Sequence, residues 1–387
     1  MASDPVPLLK SLIRCRSVTP EEGGALGYVE DALRARGFKT HRLRFEEPGT
    51  AEVDNLFARY GHDGRHFCFA GHTDVVPAGD EASWRHSPFE GELAQGKIFG
   101  RGASDMKGSV AAFMAAAIDF ISGRGPGFKG SISLLITGDE EGPAINGTVK
   151  VLAWLKERKA LPDHCLVGEP SCVNKLGDTM KIGRRGSVNV ALTVTGRQGH
   201  SAYPRLADNP IPKLVRLLDR LYEHRLDDGT NHFEPSHLTI TSVDVGNPAS
   251  NVIPAKAEAR LNIRFNPLHQ AASLKAWIEG EIRRVEQEMG GRIDARFSET
   301  ADAFLTEPGD FVTLVRKAVE RVTGTLPKLS ASGGTSDARF IKDHCPVVEF
   351  GPTGATIHQV DESIAIDELV QLKQCYQAVL EDYFAPA

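Results

Sequence analysis

The chain of 387 residues carries 45 basic against 51 acidic side chains, a net charge of -6, and it has no basic tract able to neutralise a phosphate backbone, so nucleic acid is not an expected partner. With 41% hydrophobic and 25% charged residues the composition is that of an ordinary globular protein, long enough for two domains, each with its own core. No apolar run approaches the length of a spanning helix and residues 1–10 lack a signal-peptide pattern, which points away from membranes and towards the cytoplasm. Cys15, Cys68, Cys165, Cys172, Cys345 and Cys375 are scattered, with no close pair suggesting a thiolate metal site, and read as reduced thiols acting as small buried hydrophobes.

Residues 5–15 and 22–37 place apolar side chains at helical spacing, the second stretch stopping at Arg36-Gly37. Residues 56–60 and 67–70 read as strands around Gly61-His62-Asp63-Gly64, a hairpin-like turn, and His72 follows directly. Gly100-Arg101-Gly102-Ala103-Ser104-Asp105-Met106-Lys107-Gly108 leads into an Ala-rich helix, with Asp105 at its start, a position where aspartate commonly serves only as an N-cap. A β run at 131–137 is followed by Gly138-Asp139-Glu140-Glu141-Gly142, then a helix at 146–158, a strand at 164–167 and Gly168-Glu169-Pro170.

This alternation predicts an α/β fold with a largely parallel sheet and helices on both faces. Ligands in such sheets gather beyond the carboxyl ends of the strands, where His72, Glu140, Glu141 and Glu169 all fall. From about residue 181 the order changes to strand 188–195, helix 210–224, strands 236–243 and 256–265, helix 270–289 and strand 292–297. That β-α-β-β-α-β order is a ferredoxin-like, split βαβ sandwich, and it predicts an inserted α+β domain at 183–297 between the two parts of a catalytic domain at 1–182 and 298–387. The last part resumes α/β character with a helix at 311–322, a loop at 330–337, a strand at 347–350 and a helix at 367–383.

Alone, His72 is an ordinary loop histidine. It gains weight because Asp105, Glu140, Glu141, Glu169 and His358 recur in the same setting, after strands or before helices. Asp74, two residues on, is close enough to accept the second ring proton of His72 and fix its tautomer. Three adjacent carboxylates at 139–141 repel one another, so a positive group is expected to hold them. Two histidines and three carboxylates form a nitrogen and oxygen set suited to zinc, with cobalt or manganese as substitutes. The set exceeds one tetrahedral site and suits two metals about 3.5 Å apart. Asp105 would bridge them, His72 and Glu169 completing one position and Glu141 and His358 the other. Glu140, left without a metal, suits a general base that takes a proton from water; its local sequence fits a solvated loop acid equally well.

The set His72-Thr73-Asp74, Gly100-Arg101-Gly102 with Asp105-Met106-Lys107-Gly108, Asp139-Glu140-Glu141-Gly142, Gly168-Glu169-Pro170 and His358 resembles the dinuclear zinc M20 aminoacylase and carboxypeptidase family over nearly the whole chain. The resemblance implies a hydrolase of linear amide bonds with two zinc ions per subunit, working in a bacterial cytoplasm. It also implies a homodimer made by the inserted domain, with His200 reaching into the partner's site to stabilise the oxyanion, and a cis peptide after Asp105. Residues 181–187, 199–204, 251–254 and 332–340 are similar to the family's pocket signatures, apart from Ala338 where glycine is expected. On that basis Arg184, Ser187, Tyr203, Asn251, Arg264, Gly334 and Thr335 are expected to bind a small substrate with carboxylates at both ends, the arginines through planar paired donors. Arg185 has the weaker claim, and His86, His232, His237 and His344 match no motif. The rival readings are another amide hydrolase of the family, and a non-catalytic dimeric binding protein. The second would need a missing ligand or a missing Glu140, and none is missing.

Overall fold

The apolar run that ends at His72 forms the strand His66–His72, buried along its whole length, inside an eight-stranded sheet. The computed structural model describes residues 3–124 and 127–385. Two units make up the chain: Met1–Ile182 with Thr306–Ser330 and Ser336–Ala387, and Gly183–Leu305 with Ala331–Thr335.

In the first unit the strands lie in the order Lys39–Phe45, Val53–Tyr60, Ser131–Thr137, His66–His72, His164–Val167, Val347–Glu349, Thr179–Lys181 and Lys328–Ser330. Ser131–Thr137, His66–His72, His164–Val167 and Val347–Glu349 run parallel to one another, and such strands need no polar face because both sides are covered. The hairpin expected at Gly61-His62-Asp63-Gly64 does not exist. Val53–Tyr60 and His66–His72 are not paired; Ser131–Thr137 lies between them, antiparallel to the first and parallel to the second. The two glycines serve that insertion: both have positive φ, and a Cβ at Gly61 would stand 2.2 Å from the Gly130 carbonyl oxygen.

Helix Lys107–Arg124 is apolar on every side and almost wholly buried, because helices Pro5–Arg14 and Ile366–Tyr383 both pack on it and it also meets the central strand. Phe69 from that strand stacks on Phe113 of the helix at 4.3 Å between centroids, with Tyr376 edge-on to both rings. Deleting a ring from such a cluster costs about 3–5 kcal/mol. A small sheet of Glu92–Ala94, Lys97–Phe99 and Ser363–Ala365 brings the segment after His358 alongside the residues that lead to Asp105.

The second unit is an antiparallel sheet in the order His237–Asp244, Lys256–Phe265, Gly186–Thr195, Arg292–Ala301, with helices Pro210–Glu223 and Ala271–Met289 burying leucines and isoleucines on it. The Asn209 side chain caps the first of these helices by accepting from Ile211 N. Where residue 297 was the expected end, the unit continues to Leu305: the last strand runs on to Ala301, and Phe304–Leu305 pairs with Gly183–Arg184. Among the described residues no helix is long and apolar enough to cross a membrane.

Candidate metal centre

Three neighbouring parallel strands deliver the first donors. His72 ends its strand and is in register with Thr137, which ends the next; Glu140 and Glu141 follow Thr137, and Glu169 follows His164–Val167 on the other side. Asp105 reaches the same place from the loop before Lys107–Arg124. Met106 is fully buried, and its Cε lies 2.4 Å from where a Cβ on Gly71 would be and 2.7 Å from one on Gly168. Glycine at both positions leaves room for the Met106 side chain, which a Cβ at either would displace. The Asp105-Met106 peptide bond is cis.

The two oxygens of Asp105 face different histidines. His72 Nε2 is 3.3 Å from Oδ1, and His358 Nε2 is 3.5 Å from Oδ2. Glu169 lies 3.6 Å and Glu140 3.9 Å from His72 Nε2, while Glu141 is 2.7 Å from His358 Nε2. His72, Asp105 and Glu169 form one group that could hold an ion, Asp105, Glu141 and His358 a second, and His72, Glu140 and Glu141 a third. His72 Nε2 and Asp105 Oδ1 are buried yet have no hydrogen-bond partner. Buried polar atoms are almost always partnered, so this pair fits donors turned towards a cation.

The electrostatics agree. Burial alone would lower the His72 pKa, but Asp105, Glu140, Asp74 and Glu169 raise it well above the ordinary histidine value. Hydrogen bonds with Asp105 and Glu141 push His358 up to about 10. Burial works against ionisation of Asp105, and the two histidines overcome it, holding the carboxyl well below the usual range. Burial, and then the charge of Glu169, push Glu140 well above that range.

Asp74 differs from expectation. His72 Nδ1 meets the main-chain oxygen of Asp74 at 2.9 Å, and the carboxylate is 3.6 Å away. The carboxylate instead accepts from Glu141 N at 3.0 Å, Glu140 N at 3.4 Å and the Thr19 hydroxyl at 2.7 Å. The loop peptide groups outcompete the imidazole for it.

The remaining candidates lie in the second unit. Arg184 is buried and its Nη1 donates to the Gly334 carbonyl at 2.9 Å, next to Thr335. Ser187 and Arg264 face each other across Gly186–Thr195 and Lys256–Phe265. Burial, then nearby Arg185, lowers the Arg264 pKa, as expected for a half-buried guanidinium beside a second cation. His200 and Tyr203 are exposed, 5.6 Å apart between ring centroids, and Ser201 N donates to the Asn251 carbonyl.

Three residues near the metal groups escaped sequence reasoning. Arg101 and Asp337 lie within motifs that gave them no role, and Glu362 is one of two adjacent acids in a loop. Burial raises Asp337 to about 6, and its Oδ2 has no hydrogen-bond partner. None carries a periodic or spacing signal.

Residues 68–382 match peptidase family M20/M25/M40. The chain belongs to this family. M20 proteins are metal-dependent, in keeping with the donor groups around His72 and His358. A succinyl-diaminopimelate desuccinylase from Rhodospirillum centenum is 57% identical over 387 residues, covering 100% of this chain and 99% of the relative. Among solved structures, an M20 family metallo-carboxypeptidase from Sulfolobus solfataricus shares the fold with a TM-score of 0.79 at 17% identity, covering 98% of this chain and 99% of that one. A dinuclear metal-binding M20 peptidase from Bacillus subtilis does so with a TM-score of 0.69 at 15% identity, each chain covered to 98%.

Proposed function

We propose that this M20 chain is a succinyl-diaminopimelate desuccinylase, hydrolysing N-succinyl-LL-2,6-diaminopimelate to succinate and LL-2,6-diaminopimelate in lysine and diaminopimelate synthesis. The observation that carries the reading is the 57% identity, end to end, with a protein of that name. An acetylornithine deacetylase is the disfavoured alternative, since full-length relatives at 51–57% identity bear the desuccinylase name.

The donors fit two metal ions, zinc in our reading, with cobalt or manganese as substitutes: His72, Asp105 and Glu169 for one, Asp105, Glu141 and His358 for the other. When bound, the ions acidify water and polarise the amide carbonyl. Glu140 takes the proton from the attacking water on its carboxylate and hands it to the amide nitrogen as the C–N bond breaks. Its buried setting favours holding that proton. Asp74 keeps the Glu140 and Glu141 backbone in place through its carboxylate.

Arg184, Ser187, Tyr203, Asn251, Arg264, Gly334 and Thr335 bind the dicarboxylate substrate in this reading, with Arg264 offering a guanidinium to a carboxylate. The second unit makes a homodimer, and His200 stabilises the developing oxyanion in the partner's site. The half-exposed edge strand His237–Asp244 gives such a dimer a surface to pair through. The site of action is the bacterial cytoplasm.

The test is hydrolysis of N-succinyl-LL-diaminopimelate by zinc-loaded protein beside N-acetylornithine and a dipeptide, with metal counted in the same sample. Preference for the succinyl substrate with two metals bound supports the reading. Preference for another amide with two metals bound removes the substrate assignment and leaves the metal chemistry standing.

A further inference from the structure

Arg101 and Glu362 form an ion pair with Nη1 and Oε2 2.7 Å apart, at 3% and 0% exposure. Glu362 also gathers the loop that ends at Asp105: its carboxylate accepts from Gly102 N at 3.0 Å, Ser104 N at 2.9 Å and Asp105 N at 3.1 Å, and its main-chain oxygen accepts from Gly100 N at 2.9 Å. Arg101 holds the other segment. Its Nη2 donates to the carbonyls of His358 and Pro77, both at 3.4 Å, and its Nη1 to that of Gln359 at 3.3 Å. His358 sits at φ +59°, a left-handed conformation uncommon for a residue with a side chain. The guanidinium grips the carbonyl of that residue.

One buried pair thus joins the backbone of Asp105 to the backbone of His358, whose side chains approach to 3.5 Å. Groups standing behind metal ligands fix their direction and tune affinity. On the ligand assignment above, we propose that Arg101 and Glu362 are positioning residues that set the separation of Asp105 and His358, and with it the affinity of the metal position that these two share with Glu141. His72 and Glu169, which share the other position with Asp105, lie at or just after strand ends, and Arg101 reaches neither; Arg101→Lys leaves the Glu362 contacts to the Asp105 loop in place.

Removing Glu362 leaves the Arg101 charge buried and uncompensated, so a misfolded Glu362→Ala variant would reflect that burial alone. Arg101→Lys is the informative change: it keeps both charges but loses the planar fork that spans Glu362 and the His358 and Gln359 carbonyls. Arg85→Ala is the comparison, breaking the exposed Arg85–Asp361 pair one residue from Glu362. Each purified full-length protein is stripped, titrated with zinc by calorimetry and melted in the same buffer.

Arg101→Lys is expected to bind one equivalent as the parent does and the other roughly 10- to 100-fold more weakly, with a cooperative melt; Arg85→Ala is expected to bind both as the parent does. The proposal is overturned if Arg101→Lys binds both equivalents with parental affinity, weakens both alike, or loses its cooperative melt, which would make the pair an element of the fold. A parent protein that binds fewer than two equivalents instead overturns the ligand assignment itself, independently of either variant.

Discussion

The Nδ1 atom of His72 lies 2.9 Å from the main-chain oxygen of Asp74, whose carboxylate stands back at 3.6 Å. The backbone therefore orients the imidazole, and the carboxylate is left to hold the amides of Glu140 and Glu141. Asp74→Asn should keep the metal held by His72 and lower kcat roughly 10- to 100-fold, since the residues it misplaces are the base Glu140 and the ligand Glu141 of the other position. Loss of the metal held by His72, measured by elemental analysis, would show that the carboxylate orients the ring after all.

Glu140 and Glu169 separate chemistry from binding. Glu140→Gln should retain both metals and lose activity by a factor of about 10²–10⁴, the usual contribution of a general acid–base group. Glu169→Ala should lose one metal equivalent. A full complement in the second variant would break the ligand assignment.

Proton and metal compete for His358. Its pKa is raised from 6.5 to about 10 in the metal-free protein by Asp105 and Glu141. A folded pKa above the unfolded one means that this pairing stabilises the metal-free fold fully below pH 6.5, and that the stabilisation is lost as pH rises through about 10. The melting temperature of chelator-treated protein should accordingly fall across that window, beyond any fall shown by His358→Gln. Zinc must displace the same proton, so calorimetry near neutral pH in buffers of different ionisation enthalpy should register proton release, and affinity should rise with pH.

Gly168 tests the close approach beside the metal groups. A Cβ there would stand 2.5 Å from the Phe69 ring and 2.7 Å from Met106 Cε. Gly168→Ala should lower stability by about 1–3 kcal/mol in urea denaturation. It should also weaken metal binding, because Met106 carries Asp105 with it; unchanged affinity would show that the loop absorbs the methyl group.

Arg264 is half-buried and crowded by Arg185. Arg264→Met should raise KM for the succinyl substrate at least about tenfold, the value of one charge-assisted contact, with metal content unchanged. An unchanged KM would remove it from the pocket.

The convergence of His72, Glu140, Glu141 and Glu169 was legible because each follows an apolar run, and parallel strands carry whatever follows them to one edge of the sheet. The ferredoxin-like order of the second unit was legible because its strands and helices are long and strongly patterned. The false hairpin at 61–64 shows the limit: glycines announce a turn, but which strand pairs next is decided by Ser131–Thr137, far along the chain. Strand Lys39–Phe45 was missed because Leu43 is its only buried side chain, too little for an alternating signal. Glu362 escaped because its work is done on backbone N–H groups, which leave no trace in side-chain pattern. For Asp74 the residue was visible, but which of its oxygens meets His72 was not.

Val347–Glu349 fills the place between His164–Val167 and Thr179–Lys181, although the whole second unit separates it from both in the chain. During synthesis the first unit must wait with a gap in its sheet while 123 residues, Gly183–Leu305, are made and collapse on their own core. A product truncated at Leu305 lacks that strand, His358 and Glu362 alike, so it carries an open sheet and a donor set without its second histidine. Such a fragment is a target for quality control, and any attempt to express the first 182 residues alone will meet the same unfilled edge.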